Sequence, residues 1–155
     1  MAAPHAKQSL RVWLRMLRAT TIIEKRIRGY LKTEFDSTLP RFDVLSALDR
    51  ETVPITMSQL TDHLLVSNGN LTGLVNRLVD DGLISREIDP DDRRVQHVTL
   101  TAEGRAAFRE MATSHEALVD SLFAAMSDED MATLLHMTTT LNSALQNGAH
   151  PAEDA

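Results

Sequence analysis

The apolar pattern of this 155-residue chain changes period at Gly82. Before it, within VSNGNLTGLVNRL and the valine that follows, Leu71, Leu74, Val75, Leu78 and Val79 recur at i, i+3, i+4, i+7 and i+8. That spacing is one apolar stripe of a helix. After it, Ile84 and Ile88, then Val98 and Leu100, follow a two-residue period on either side of DPDDRR. Such alternation around Asp and Pro turn formers predicts two strands joined as a hairpin. A chain that must bury both patterns side by side has few folds open to it.

The preceding residues narrow the choice. Thr56 with Gln59 three places on is a capping-box pattern that starts a short helix holding Leu60 and Leu64 and ending near Leu65. Ser67 is positioned to cap the next helix, and Gly82 to stop it. Two short helices with a turn between them make a helix-turn-helix. Followed directly by the hairpin, with Arg93 and Arg94 at its tip, they make a winged helix. The outer face of the second helix carries Gly69, Asn70, Gly73, Asn76 and Arg77 in place of the usual Lys, Glu and Ala. Glycine costs about 1 kcal/mol against alanine inside a helix. Two glycines a turn apart therefore imply a close approach, and the major groove of DNA is the expected surface.

Long helices flank this unit. Leu10, Trp13, Leu14, Leu17, Ile23, Ile27 and Leu31 predict one helix over roughly residues 7–33. Residues 33–39 read as a connection, Pro40 suits a helix's first turn, and Val44, Leu45 and Leu48 give a short helix ending near Arg50. Thr101 caps a helix whose apolar positions run from Phe108 to Met126. Ser127 with Asp130 repeats a capping pattern before a last helix through Leu145. The fold class is thus mainly α with a small β-hairpin wing. Residues 1–36 are expected as an N-terminal dimerisation helix, 37–101 as the winged helix-turn-helix, 102–147 as C-terminal dimerisation helices and 148–155 as a flexible tail. The long apolar stripes outside the compact unit are expected to bury each other in a two-fold homodimer.

Charge bears on the partner. The net charge is −6, and residues 58–101 carry four Lys/Arg against seven Asp/Glu, whereas residues 1–34 carry eight against two. DNA binding must then rest on a few placed cations and helix N-termini. There is no cysteine, and no apolar run approaches the roughly 18 residues of a membrane span, so a cytoplasmic protein is expected. No nucleophile–base pair, glycine-rich phosphate loop or metal-ligand spacing is present, so neither catalysis, nor a cofactor, nor a metal site is expected.

The segments LTGLVNRL (71–78), DDGLISR (80–86) and DPDDRRVQHVTLTAEG (89–104) resemble the MarR family of transcriptional regulators. The resemblance is specific over residues 40–105 and extends to helix order elsewhere. It implies dimers that place recognition helices in successive major grooves and wings toward the minor groove. It also implies release by a small, often aromatic, ligand, and repression as the commoner mode. Many members carry Arg or Lys where this chain has Gly73.

Asn70 and Asn76 are candidates for pairing with adenine, and Arg77 for guanine or phosphate. Arg77 can instead pair with Asp80 or Asp81 on its own helix. Ser67, Asn68 and Thr72, near the helix start, are candidates for phosphates. Arg94 suits a narrow minor groove, with Asp92 orienting it, and Arg93 is a second wing candidate. Arg86 either reaches phosphate or braces the wing. For the effector, Trp13, Met16, Phe42, Met111 and His115 can line a cavity or form plain core. Arg11, Arg15 and Arg18 point to an anionic ligand such as an aromatic carboxylate or its coenzyme A thioester. The competing reading is a winged-helix protein-interaction module that does not touch DNA, and the acidic balance is its support.

Overall fold

The computed structural model describes residues 4–64 and 70–148. Contacts divide the chain into two compact units, residues 1–119 and 120–155. In the first unit the order is helix α1 (Pro4–Phe35), α2 (Leu39–Asp49), strand β1 (Ile55–Thr56), α3 (Met57–His63), α4 (Leu71–Asp80), β2 (Ile84–Ile88), β3 (Gln96–Leu100) and most of α5 (Ala102–Phe123). Helix α6 (Asp128–Gly148) belongs to the second.

Each element ends where local chemistry ends it. Helix α1 runs past the expected connection to Phe35. It stops because Asp36 takes a left-handed backbone (φ 46°) and the Ser37 N–H returns to the Leu31 carbonyl at 3.1 Å. A left-handed residue just past the last turn is a common helix stop, here with Asp in the place usually held by Gly. Asp36 also pairs with Lys32, which holds its carboxyl below the usual range. Thr38 then caps α2 by accepting from the Arg41 N–H, with Pro40 in the first turn. The Thr56–Gln59 capping box forms with both bonds made. Helix α4 gives way to the hairpin at Gly82, whose φ of +75° suits a residue without Cβ.

The sheet is antiparallel in the order β1–β3–β2. Ile84 pairs with Leu100, Arg86 with Val98 and Ile88 with Gln96, while Ile55 pairs with Val98 on the other side. Successive side chains alternate faces, so Ile84, Arg86, Val98 and Leu100 share the inner face. The core gathers Leu31 from α1, Val44, Leu45 and Leu48 from α2, Leu60 from α3, Val75 and Leu78 from α4, and Val98 from β3, all essentially closed to solvent. Only the C-terminal part of α1 contributes; Leu10, Trp13, Leu14 and Leu17 are exposed. In the second unit Ser127 and Asp130 make the expected reciprocal cap, and the apolar residues of α6, Leu135 and Leu145 among them, are exposed. No helix among the described residues is long and apolar enough to cross a membrane. The tail beyond Gly148 lies outside the described residues.

Candidate nucleic-acid interface

Helix α4 presents Leu71, Leu74, Val75 and Leu78 to the core, leaving Thr72, Asn76 and Arg77 exposed. Its cap is Asn70, not Ser67: the Asn70 Oδ1 accepts from the Gly73 N–H at 3.2 Å. Ser67, Asn68 and Gly69 lie outside the described residues. Asn70 is thus committed through its oxygen to its own helix, satisfying one of the donors that a helix start leaves free. The cap also accounts for Gly73. A Cβ there would sit 2.4 Å from Asn70 Oδ1, so the space that the sequence suggested as clearance for DNA is occupied by the capping amide.

The salt-bridge alternative for Arg77 is only half available. Asp81 is taken by Arg41 of α2, at 2.7 Å, and Arg77 makes no ion pair among the described residues. Arg86 braces rather than projects. From the inner face of β2 its Nη2 donates to Asn76 Oδ1 at 2.6 Å, and its Nε is buried without a partner among the described residues. This bond joins the wing's first strand to the outer face of α4, a link that side-chain spacing in the sequence did not reveal.

The wing tip is organised by two carboxylates. Asp89 Oδ1 accepts from the N–H groups of Asp91 (2.8 Å) and Asp92 (3.0 Å), while its Oδ2 meets His97 Nε2 at 2.9 Å. The His97 contact, then those amides, hold the Asp89 carboxyl below its ordinary range. Asp92 Oδ1 accepts from the backbone N–H and Nε of Arg94, and Oδ2 from Nη2, all at 3.0 Å. The Arg94 side chain nevertheless stays 91% exposed. Its fork is therefore oriented by Asp92, the role expected of that residue, and remains open to a second anion. The hydrogen bond from Arg94 keeps the Asp92 carboxyl ionised below the usual range.

Of the eight candidate effector residues the structure brings together three. Phe42 lies 4.8 Å from the His115 ring and 5.5 Å from Phe108, and Met111 is buried in the same core. Burial lowers the His115 imidazole's pKa. Trp13, Arg11, Arg15 and Arg18 are exposed on α1, and Met16 is half-buried there. A cavity of about 380 Å³ between α1, α2 and the end of α3 uses none of the eight. It is walled by Ile23, Ile27, Ala47 and Leu64, with the Asp43 carboxyl, raised in pKa by burial, beside Glu24. Nothing in the sequence pattern marked it, because its walls come from three separate helices. Among the described residues no group of three or more His, Cys, Asp or Glu is placed to hold a metal ion.

Comparison with known proteins agrees with this geometry. Residues 35–95 match the model of the MarR family. The chain is 29% identical over 129 residues to an HTH-type transcriptional regulator of Bacillus cereus, covering 83% of this chain and 84% of that one. It is 35% identical over 114 residues to the transcriptional activatory protein BadR of Rhodopseudomonas palustris, covering 71% of this chain and 65% of that one. It superposes on a mutant MarR from E. coli complexed with operator DNA with a TM-score of 0.73 at 25% identity, covering 86% of this chain and 95% of the other.

Proposed function

The chain belongs to the MarR family of transcriptional regulators, which are not enzymes, and from that premise we propose that it binds a pseudo-palindromic DNA operator as a homodimer in the cytoplasm and is released by a small effector. The observation that carries the reading is the presence together of Arg77, without an ion-pair partner among the described residues, on the exposed face of α4 and an oriented, open Arg94 at the wing. Thr72 near the start of α4 adds a phosphate contact, Asn76 and Arg77 the groove contacts, and Arg93 and Arg94 the minor-groove approach. Ser67 and Asn68 are assigned phosphates from the sequence alone. The E. coli relative in complex with operator DNA supports an operator as the partner. A two-fold dimer would read half-sites roughly 10 base pairs apart.

Exposed Leu14 and Leu17 on α1 and Leu135 and Leu145 on α6 support the homodimer, since apolar surface of this extent is seldom left in water. Repression is proposed as the mode, by occlusion of the promoter; activation of a reporter by the wild-type chain would reverse it. The effector is proposed to be an anionic aromatic: the Phe42–His115 stack beside Met111 supports its aromatic wall, and Arg11, Arg15 and Arg18 as anion partners, with Trp13 and Met16, are assigned from the sequence alone. Aromatic carboxylates and their coenzyme A thioesters titrated into the protein–DNA complex test this, and failure of every one to release DNA removes it.

The DNA reading is tested by mobility shift on the chain's own upstream region. Binding is expected for the wild type and a loss of at least tenfold for Arg77→Ala combined with Arg94→Ala, since each removes a charged contact. Unchanged binding by the double variant would refute these residues. No binding by the wild type would favour the protein-interaction module.

A further inference from the structure

An asparagine free on a recognition helix matches adenine, donating to N7 and accepting from the N6 amino group. Asn76 is not free. Its Oδ1 accepts a 2.6 Å hydrogen bond from the Arg86 guanidinium. Charged donors make the stronger hydrogen bonds, and this one fixes which end of the amide is which. Arg86 itself cannot swing away at little cost. It stands on the inner face of the sheet opposite Val98, and its Nε is buried with no partner of its own among the described residues. The oxygen therefore points back to the wing strand, and the outward end of the amide carries only N–H donors.

We propose that Arg86 is a positioning residue for base readout: by holding Asn76 Oδ1 it turns the Asn76 amino group to the major groove, so that Asn76 reads the O6 and N7 acceptors of guanine in place of adenine. Adenine offers N7 but sets its N6 donor against the Asn76 donor. Guanine offers two adjacent acceptors to the same group. Thymine O4 is a single acceptor beside a methyl group, and it is the weaker match. The inference rests on the DNA-binding reading above and goes beyond it by naming the base and the device that selects it.

Selection of bound sequences from a randomised operator pool by the full chain tests the idea, with Asn76→Ala and Arg86→Met run in parallel. The wild type is expected to enrich guanine at one symmetric position in each half-site. Asn76→Ala should flatten that position by about tenfold, the low end of what a good groove contact discriminates, while leaving the others intact. Arg86→Met, which keeps the apolar stem and removes the donor, should move the preference toward adenine. A merely structural Arg86 would lower affinity at every position alike. Should Arg86→Met not fold, 7-deazaguanine placed at the selected position tests the guanine contact that the Arg86–Asn76 bond is argued to create. It should weaken the wild type about tenfold and leave Asn76→Ala unchanged. Adenine at the Asn76-dependent position of the wild type overturns the proposal, as does a set of preferences none of which depends on Asn76. Enrichment of nothing by any of the three proteins would instead bring down the DNA-binding reading on which it stands.

Discussion

Gly73 and Asn70 form a unit that neither residue makes alone. A methyl group at position 73 would press on the Asn70 side-chain oxygen, and that oxygen is the free end of a side chain that can swing out. Gly73→Ala should then exchange one effect for another: about 1 kcal/mol gained from helix propensity against about 1 kcal/mol lost with the cap. The single variant is expected to be near neutral in urea denaturation. In an Asn70→Ala background, where the cap is already gone, the same change should stabilise by about 1 kcal/mol. Equal effects in both backgrounds would show that the two side chains do not interact. The stripe that buries Leu71, Leu74, Val75 and Leu78 was legible from spacing. The pairing of Asn70 with Gly73 was not, because the sequence alone placed the helix start three residues too early. A second residue-scale expectation concerns His115. Its burial against Phe42 lowers the folded imidazole's pKa below the ordinary 6.5, so the unfolded chain binds the proton more readily. Stability is present above that value and declines as pH falls below it. Melting temperature measured at pH 7.5 and 5.5 should therefore fall more for the wild type than for His115→Phe. An equal fall in both would place the pH dependence elsewhere.

The elements divide according to whether their ends are set locally. Thr56 and Ser127 each announced a helix start through a side chain with a partner three residues on, Thr101 through its own hydroxyl, and each forms its cap. The hairpin was legible for the same reason: period-two apolar residues and Asp–Pro turn chemistry lie within one short stretch. What spacing could not show is contact across elements, such as Arg86 to Asn76, Arg41 to Asp81 and Arg105 to Asp49. Those partners are set by packing, not by sequence distance. Thr101 sits at a junction where both kinds of information meet. Its hydroxyl donates to the Gly82 carbonyl at 2.6 Å and accepts from the Gly104 N–H at 2.9 Å, tying the end of the α4 turn to the start of α5. Thr101→Val keeps the shape and removes both bonds. It should cost about 2 kcal/mol, the cap together with a carbonyl left unpaired. The comparison in chemical denaturation is Thr56→Ala, where only a cap is lost and about 1 kcal/mol is expected. A Thr101→Val cost no larger than that of Thr56→Ala would mean the bond to Gly82 contributes nothing.

At the scale of the molecule the difficulty is charge: an acidic chain, −6 overall, whose reading region is itself acidic, is proposed to bind a polyanion. The ion pairs make the problem sharper before they resolve it. Of the cations around the reading region, Arg41 is spent on Asp81, Arg105 on Asp49 and Arg86 on Asn76. Arg77, Arg93 and Arg94 remain for phosphates and grooves, the last already oriented by Asp92. A homodimer then brings about six cations to its operator, and the slope of log affinity against log salt should be no steeper than about −5, at roughly 0.9 per phosphate neutralised. Arg77→Ala removes two of the six and should flatten the slope by about 2. The remaining affinity must come from uncharged contacts, the amides at the start of α4 and groove readers such as Asn76, which salt does not screen. Such a protein trades strength at low salt for selectivity at moderate salt, because its own acidic surface repels DNA that offers no specific contacts. A titration from about 50 to about 300 mM salt, the range over which phosphate contacts are lost, decides the matter. A slope near about −10 would require the cations of residues 1–34 to reach the duplex as well and would move the interface toward α1. A flat line would mean that no phosphate is neutralised at all, and the acidic balance would then be the better guide to what this winged helix binds.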